Sequence, residues 1–133
     1  MQQQEPKTLS YASDPCKPNV RLIVAIVFAT LAALITGKQS AEVLYRLWLF
    51  AHDNKSEPGT NHVGDGSFES YHMMGAIACL ISIVTAFLFD KWPLRIAAIV
   101  VAIFAVTSAL AFSWMHKTGM LVTYSEWARM HGP

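Results

Sequence analysis

Histidine side chains offer the broadest chemistry in this sequence, which contains five of them: His52, His62, His72, His116 and His131. Neutral imidazole is the commonest metal ligand in proteins and also an axial ligand of haem iron. His72 and His116 stand at the outer ends of two neighbouring apolar runs, where helix packing can bring them together. Thioether groups, which suit copper, flank them in Met73, Met74 and Met115. His72 and His116 are therefore the best candidate ligands of haem b, or of copper as the second choice, with His52 and His131 as weaker candidates.

The alternative is that these histidines are ordinary polar side chains at a water boundary. The sequence contains no HExxH, GxSxG or P-loop motif, so it does not favour a protease, a hydrolase or a nucleotide-driven machine. The apolar runs also lack a central charged residue, which argues against a proton relay or an ion pump. We expect the chain not to be catalytic by itself, and leave open a membrane-bound enzyme or a small transporter.

The elements that must position His72 and His116 are two apolar runs, residues 71–89 and 94–114, joined by Asp90-Lys91-Trp92-Pro93. Each run is close to the roughly 20 residues that cross a hydrocarbon core of about 30 Å, which predicts a transmembrane helical hairpin. The alternative is the buried hairpin of a soluble protein. A chain of 133 residues has too little polar mass to surround such a hairpin.

A further span is predicted over residues 20–37, because the uncharged run 22–37 is flanked by Arg21 and Lys38. Long basic side chains at such positions reach back to the membrane surface and lengthen a short span. Small side chains recur at every fourth position and permit close helix packing, at Ala25, Ala29 and Ala33. These alanines are candidate interface residues, although alanine is also simply common in membrane helices.

Amphipathic segments follow the first and third spans and are predicted to be interfacial or protruding helices, over residues 39–52 and 119–131. Residues 53–67 form a loop rich in Gly, Asn and Asp. The first segment either continues the helix out of the bilayer or bends at Gly37, and Glu42 can pair with Arg46 four residues later. An offset of 79 residues aligns Lys38 with Lys117, Tyr45 with Tyr124, Trp48 with Trp127 and His52 with His131. We interpret this as a repeat with Trp48 and Trp127 at interfaces; chance similarity of membrane-surface residues is the alternative.

Composition agrees with a membrane protein, because 53% of the residues are hydrophobic and 14% are charged. A formal charge of +1 without a basic cluster gives no indication of nucleic-acid binding. The predicted fold is an all-α integral membrane protein with three transmembrane helices, the first and third parallel, in contact with the lipid bilayer. Residues 1–19 form a polar tail and residues 20–133 a single membrane domain.

This topology places every histidine on one side of the membrane. Lys and Arg divide five to each side, but Lys91 and Arg95 crowd the shortest loop, and the acidic residues divide three against six. Basic residues in short loops favour the cytoplasmic side. We therefore expect a bacterial inner membrane protein with a cytoplasmic N-terminus and with its C-terminus on the opposite side.

The second half of the chain carries two loose motifs: His72-x-x-Gly75, and Gly119-Met120-Leu121-Val122 followed by Tyr124 and His131-Gly132. In these motifs, residues 67–133 resemble an uncharacterised family of small bacterial multi-span membrane proteins that has been predicted to bind haem. The resemblance implies a multi-span helical fold and a haem ligand among these histidines.

Taken together, the patterns predict a small subunit of a larger membrane complex, of a respiratory, redox or other energy-converting kind, with a structural or assembly role. Other membrane subunits are then its partners. The alternative is a haem-b or copper electron-transfer protein that uses the histidines of one membrane face.

Overall fold

A computed structural model describes residues 19–53 and 62–132 of the chain. They form four helices, α1 (Val20–Asp53), α2 (Ser67–Leu88), α3 (Trp92–Lys117) and α4 (Tyr124–His131), and two short strands, β1 (His62–Val63) and β2 (Val122–Thr123). The first three helices are long and apolar enough to cross a membrane. The predicted all-α membrane fold with three spans is thereby confirmed, while residues 1–18 of the predicted tail and residues 54–61 of the predicted loop lie outside the described residues.

Helix α1 is a single uninterrupted helix of 34 residues, which begins after Asn19 accepts a hydrogen bond from the backbone N–H of Leu22. At about 1.5 Å per residue it is about 51 Å long, roughly 20 Å longer than a hydrocarbon core. Of the two predicted alternatives, the structure therefore has the helix that continues beyond the span. Gly37 lies within it, and a Cβ atom at that position would meet nothing within 4 Å.

The connection between α2 and α3 marks one end of the bundle, which we call the turn end. Pro93 stands in the first turn of α3, where its missing N–H is tolerated. The Arg95 side chain donates to the Phe89 carbonyl oxygen at 2.6 Å. Arg21 pairs with Asp90 at 3.2 Å, so the beginning of α1 also lies at the turn end.

Small side chains fill the middle of the bundle, and they let the three helices approach closely. Those buried there are Ala25 and Ala32 of α1, Ala78 and Ser82 of α2, and Ala98, Ala102 and Ala105 of α3. The helices approach closely at Gly75, where a Cβ atom would lie 3.1 Å from the Ala109 Cβ. A glycine at this position is what allows α2 and α3 to pack at this distance.

The largest fully buried side chains, Phe112, Met115 and Leu121, lie at the opposite end, which we call the cap end. They belong to a cluster of Val43, Val63, Phe112, Met115 and Leu121, which joins α1, β1, α3 and the segment after α3. The Tyr71 ring stacks on Phe112 at 3.9 Å and almost parallel. Because Ser40 and Ser108 share a hydrogen bond of 2.9 Å at this end, while Arg21 lies at the turn end, α1 and α3 run in the same direction.

The segment after α3 differs from the helix predicted over residues 119–131. Gly119 adopts a φ of 74°, which ends the chain's helical course, and α4 begins only at Tyr124. In between, Val122–Thr123 pairs in parallel with His62–Val63. This pairing holds the first residues of the predicted helix in an extended conformation. It is favourable because Val63 and Leu121 are then buried in the cluster.

Candidate functional site

Two carboxylates hold the N-terminus of α4 at the cap end. The Thr123 hydroxyl accepts from the Glu126 backbone N–H at 3.2 Å, and the Thr123 backbone N–H donates to Glu126 Oε2 at 2.9 Å, which is a capping box. Asp65, in the loop before α2, accepts from the Ser125 backbone N–H at 2.9 Å. The loop and the C-terminal helix are therefore tied together through backbone donors that would otherwise be unsatisfied.

These bonds shift the acidity of both carboxyl groups. The backbone N–H of Thr123, followed by the His116 side chain, holds the pKa of Glu126 below its ordinary value. The backbone N–H of Ser125 does the same for the pKa of Asp65. The charged form of each carboxyl group therefore stabilises the cap end more than the neutral form does.

His116 lies in the last turn of α3 and connects three elements. Its Nε2–H donates to the Glu126 carboxylate, at 3.2 Å to Oε2 and 3.4 Å to Oε1. Its ring packs against Phe68 of α2, with 4.1 Å between the ring centroids. The residue thus links α3 to α4 and to the first turn of α2.

His72 lies one turn further along α2 than Phe68, and its Nε2 shares a hydrogen bond of 2.8 Å with the Ser113 hydroxyl of α3. His72 and His116 are thus on packed helices at the same end, each with a side-chain partner at Nε2. Haem or copper binding through the Nε2 atoms of this pair would have to replace both hydrogen bonds. Among residues 19–53 and 62–132, no group of three or more His, Cys, Asp or Glu residues could hold a metal ion. Ligation by His72 and His116 stays a prediction.

The other histidines lie in separate places. His52 donates from Nδ1 to the Trp48 carbonyl oxygen at 2.9 Å, and its ring lies 4.3 Å from the Trp48 ring. The His62 ring lies 5.5 Å from that of Trp127. His131 is the last residue of α4. The two proposed repeat copies are thus unlike each other, since Trp48 is 54% exposed whereas Trp127 is half-buried beside β1.

The alanines of α1 do not share one environment. Ala25 is buried, Ala29 is half-buried and Ala33 is exposed. The buried line along α1 instead runs through Ala25, Ala32, Thr36, Gln39 and Val43. This mixture of steps of three, four and seven residues is typical of helices that pack at a small crossing angle.

An apolar surface stands out on the part of α1 that extends beyond the span. We call it the extension face, and it consists of Leu44, Tyr45, Leu47 and Trp48, whose exposed fractions are 66%, 53%, 37% and 54%. On another side of the helix, Arg46 pairs with Glu42 at 2.8 Å, as predicted, and donates to the His62 carbonyl oxygen. The polar side of the extension thus holds β1, while the apolar side faces away from the described parts of the cap.

A cavity of about 580 Å³ lies between α1 and the first turns of α2, and Lys38 and Gln39 contribute to its wall. From the sequence, Lys38 is predicted to flank a span and to match Lys117 in the repeat, whereas no role is predicted for Gln39. The sequence does contain a signal for this cavity, because the amide residue Gln39, next to Lys38, interrupts the apolar stripe of the helix at a membrane boundary.

Comparison of the chain with protein-family models, with curated proteins and with solved structures finds no match. The resemblance of residues 67–133 to a family predicted to bind haem therefore stays a prediction, and function has to be argued from the geometry.

Proposed function

We propose that the chain is a small integral-membrane subunit of a larger membrane complex, with a structural or assembly role. The observation that carries this proposal is the extension face. It presents four large apolar side chains on a helix that outruns the hydrocarbon core by roughly 20 Å.

The position of the extension face along α1 decides whether lipid chains or a partner subunit can cover it. Starting from Arg21 at the turn end, a core of about 30 Å is crossed after roughly 20 residues, near Ala41. Leu44 to Trp48 then stand at or beyond the lipid headgroups. Burying a large apolar side chain there contributes about 1.5–3 kcal/mol, so docking of a partner subunit on the extension face is favourable.

The nature of the complex and its orientation belong to the same proposal. The histidine-rich cap end favours a redox or other energy-converting complex. Lys91, Arg95 and Arg21 together at the turn end favour a cytoplasmic turn and N-terminus in a bacterial inner membrane.

Site-specific photocrosslinking in native membranes tests the proposal. A photoreactive residue at Leu44 or Trp48 should give adducts larger than the chain, whereas the same residue at Lys117, an exposed position at the same end of α3, should not. Leu44→Glu with Trp48→Glu should release the chain from the complex after gentle detergent extraction, while Lys117→Glu should not. A chain that migrates alone and crosslinks only to lipid from both positions contradicts the proposal.

A haem-b or copper electron-transfer protein is the second candidate, and the packing of α2 on α3 favours it. Phe68, one turn before His72, contacts His116, so the two imidazoles lie on adjoining parts of one helix pair. This candidate requires a Soret band, or a copper signal, in the purified chain. The signal should disappear in His72→Ala and survive in His52→Ala, and its absence from the wild-type chain excludes this candidate.

A further inference from the structure

The cavity between α1 and α2 combines polar and apolar walls at a definite depth. Lys38 lies roughly 26 Å along α1 from Arg21, and the cavity therefore stands near the far boundary of a hydrocarbon core of about 30 Å. Ile35 on α1, together with Met73 and Met74 on α2, supplies apolar wall about one turn deeper than Lys38 and Ser70. Such a gradient matches an amphiphilic molecule with its polar group toward the cap.

Gln39 gives the cavity a polar group that lacks a partner. The residue is only 4% exposed, and its Nε2 donates to the Tyr71 carbonyl oxygen at 2.9 Å. Its Oε1 has no hydrogen-bond partner among the described residues. Because an unpaired buried acceptor is destabilising, a ligand that brings a hydroxyl donor gains more here than it would at an ordinary surface.

The charge at the cavity is positive. Lys38 lies in its wall and forms no ion pair with another described residue. Ser67 and Ser70 belong to the first turn of α2, whose N-terminal end carries a partial positive charge and has no side-chain cap from Gly66. Glu69, in the same turn, is exposed and is not part of the wall. A phosphate group suits the lysine and the serine hydroxyls together.

We propose that this cavity binds an anionic phospholipid whose headgroup carries a free hydroxyl, as phosphatidylglycerol does. The phosphate contacts Lys38 and the beginning of α2, and the acyl chains descend along Ile35 and Met74. Gln39 Oε1 is itself enclosed by its neighbours, so the headgroup hydroxyl donates to it after the Gln39 side chain turns toward the cavity. The proposal does not depend on a partner complex.

Native mass spectrometry of the full chain in mild detergent, titrated with phosphatidylglycerol or phosphatidylcholine, tests the proposal. Lys38→Gln should weaken phosphatidylglycerol binding about tenfold, since it removes a charged hydrogen-bond donor. Lys117→Gln, which removes an exposed lysine outside the cavity, should leave binding unchanged. Phosphatidylcholine should bind weakly to the wild-type chain and equally to both variants.

A second variant tests the space in the cavity separately from the charge of Lys38. Ser70→Trp keeps Lys38 but fills the polar part of the cavity, and it should also weaken phosphatidylglycerol binding at least tenfold, with a melting temperature close to that of the wild type. Equal phosphatidylglycerol affinity in the wild type, Lys38→Gln and Ser70→Trp overturns the proposal. Displacement of the lipid by inorganic phosphate at millimolar concentration assigns the cavity to a free phosphate and overturns the lipid assignment. Retention of the lipid supports it.

Discussion

Replacement of Gly75 by leucine is expected to weaken the packing of α2 against α3. A Cβ atom at position 75 would lie 3.1 Å from the Ala109 Cβ, 3.5 Å from the Ala105 carbonyl oxygen and 3.7 Å from Gln39 Nε2. Carbon atoms in contact prefer about 3.5–4.0 Å, so the first added atom is already too close, and leucine adds three more carbons. The helices must move apart or the side chain must leave its preferred rotamer.

The size of the effect follows from two opposing terms. Leucine is a better helix former than glycine by about 0.8 kcal/mol, whereas overpacking a tight interface costs about 1–3 kcal/mol. Gly37→Leu provides the matched control, since a Cβ at position 37 meets nothing within 4 Å. The helix-propensity term is common to both variants, so the difference in their free energies of unfolding measures the packing term alone. We expect Gly75→Leu to be less stable than Gly37→Leu by about 1–3 kcal/mol.

Reversible unfolding in mixed detergent micelles, followed by tryptophan fluorescence, measures both free energies. Gly75→Ala should fall between the wild type and Gly75→Leu, because it adds only the first close contact. Equal stability of Gly75→Leu and Gly37→Leu would show that the close approach at Gly75 does not hold the hairpin together.

Three further perturbations address the cap end and the turn end. Acid should loosen α4, because the lowered pKa values of Asp65 and Glu126 give a stabilisation that is present above their ordinary pKa range and is lost as the pH falls through the folded-state values. Amide exchange in α4, corrected for its intrinsic pH dependence, should speed up on acidification in the wild type, and a response as large in Asp65→Asn with Glu126→Gln would contradict this. Leu121→Ala should cost about 2–5 kcal/mol in thermal or detergent unfolding, since Leu121 is fully buried, and a loss below 1 kcal/mol would mean that the cap core is not tightly packed. Asp90→Asn should change stability by less than about 1 kcal/mol, because its ion pair with Arg21 is exposed, and a larger loss would reveal a stronger role for this pair.

Much of the fold was predictable because lipid imposes a simple requirement on sequence. The three spans follow from the length of the apolar runs, and the Glu42–Arg46 pair follows from helical spacing alone. The start of α4 was not predictable in the same way. It depends on the pairing of β2 with a strand about 60 residues earlier, and strands of two residues leave no periodic pattern.

The candidate site was predicted less completely than the fold. His72 and His116 do lie at the cap end, but their hydrogen-bond partners come from other helices and cannot be inferred from local spacing. The cavity beside Gln39 could not be predicted for the same reason, since its wall comes from two helices and a loop. Tertiary contacts, rather than residue types, decide which polar groups have partners.

The pairing of β1 with β2 has a consequence for biosynthesis. β1 emerges from the ribosome soon after the first span, yet its partner follows the third. Until then Val63 has no strand to pair with, and Leu121 is missing from the cluster that buries it. The cap end can therefore close only on a chain whose last span has already been inserted. A quality-control protease that senses exposed apolar loops would thus distinguish a finished molecule from one that stalled halfway.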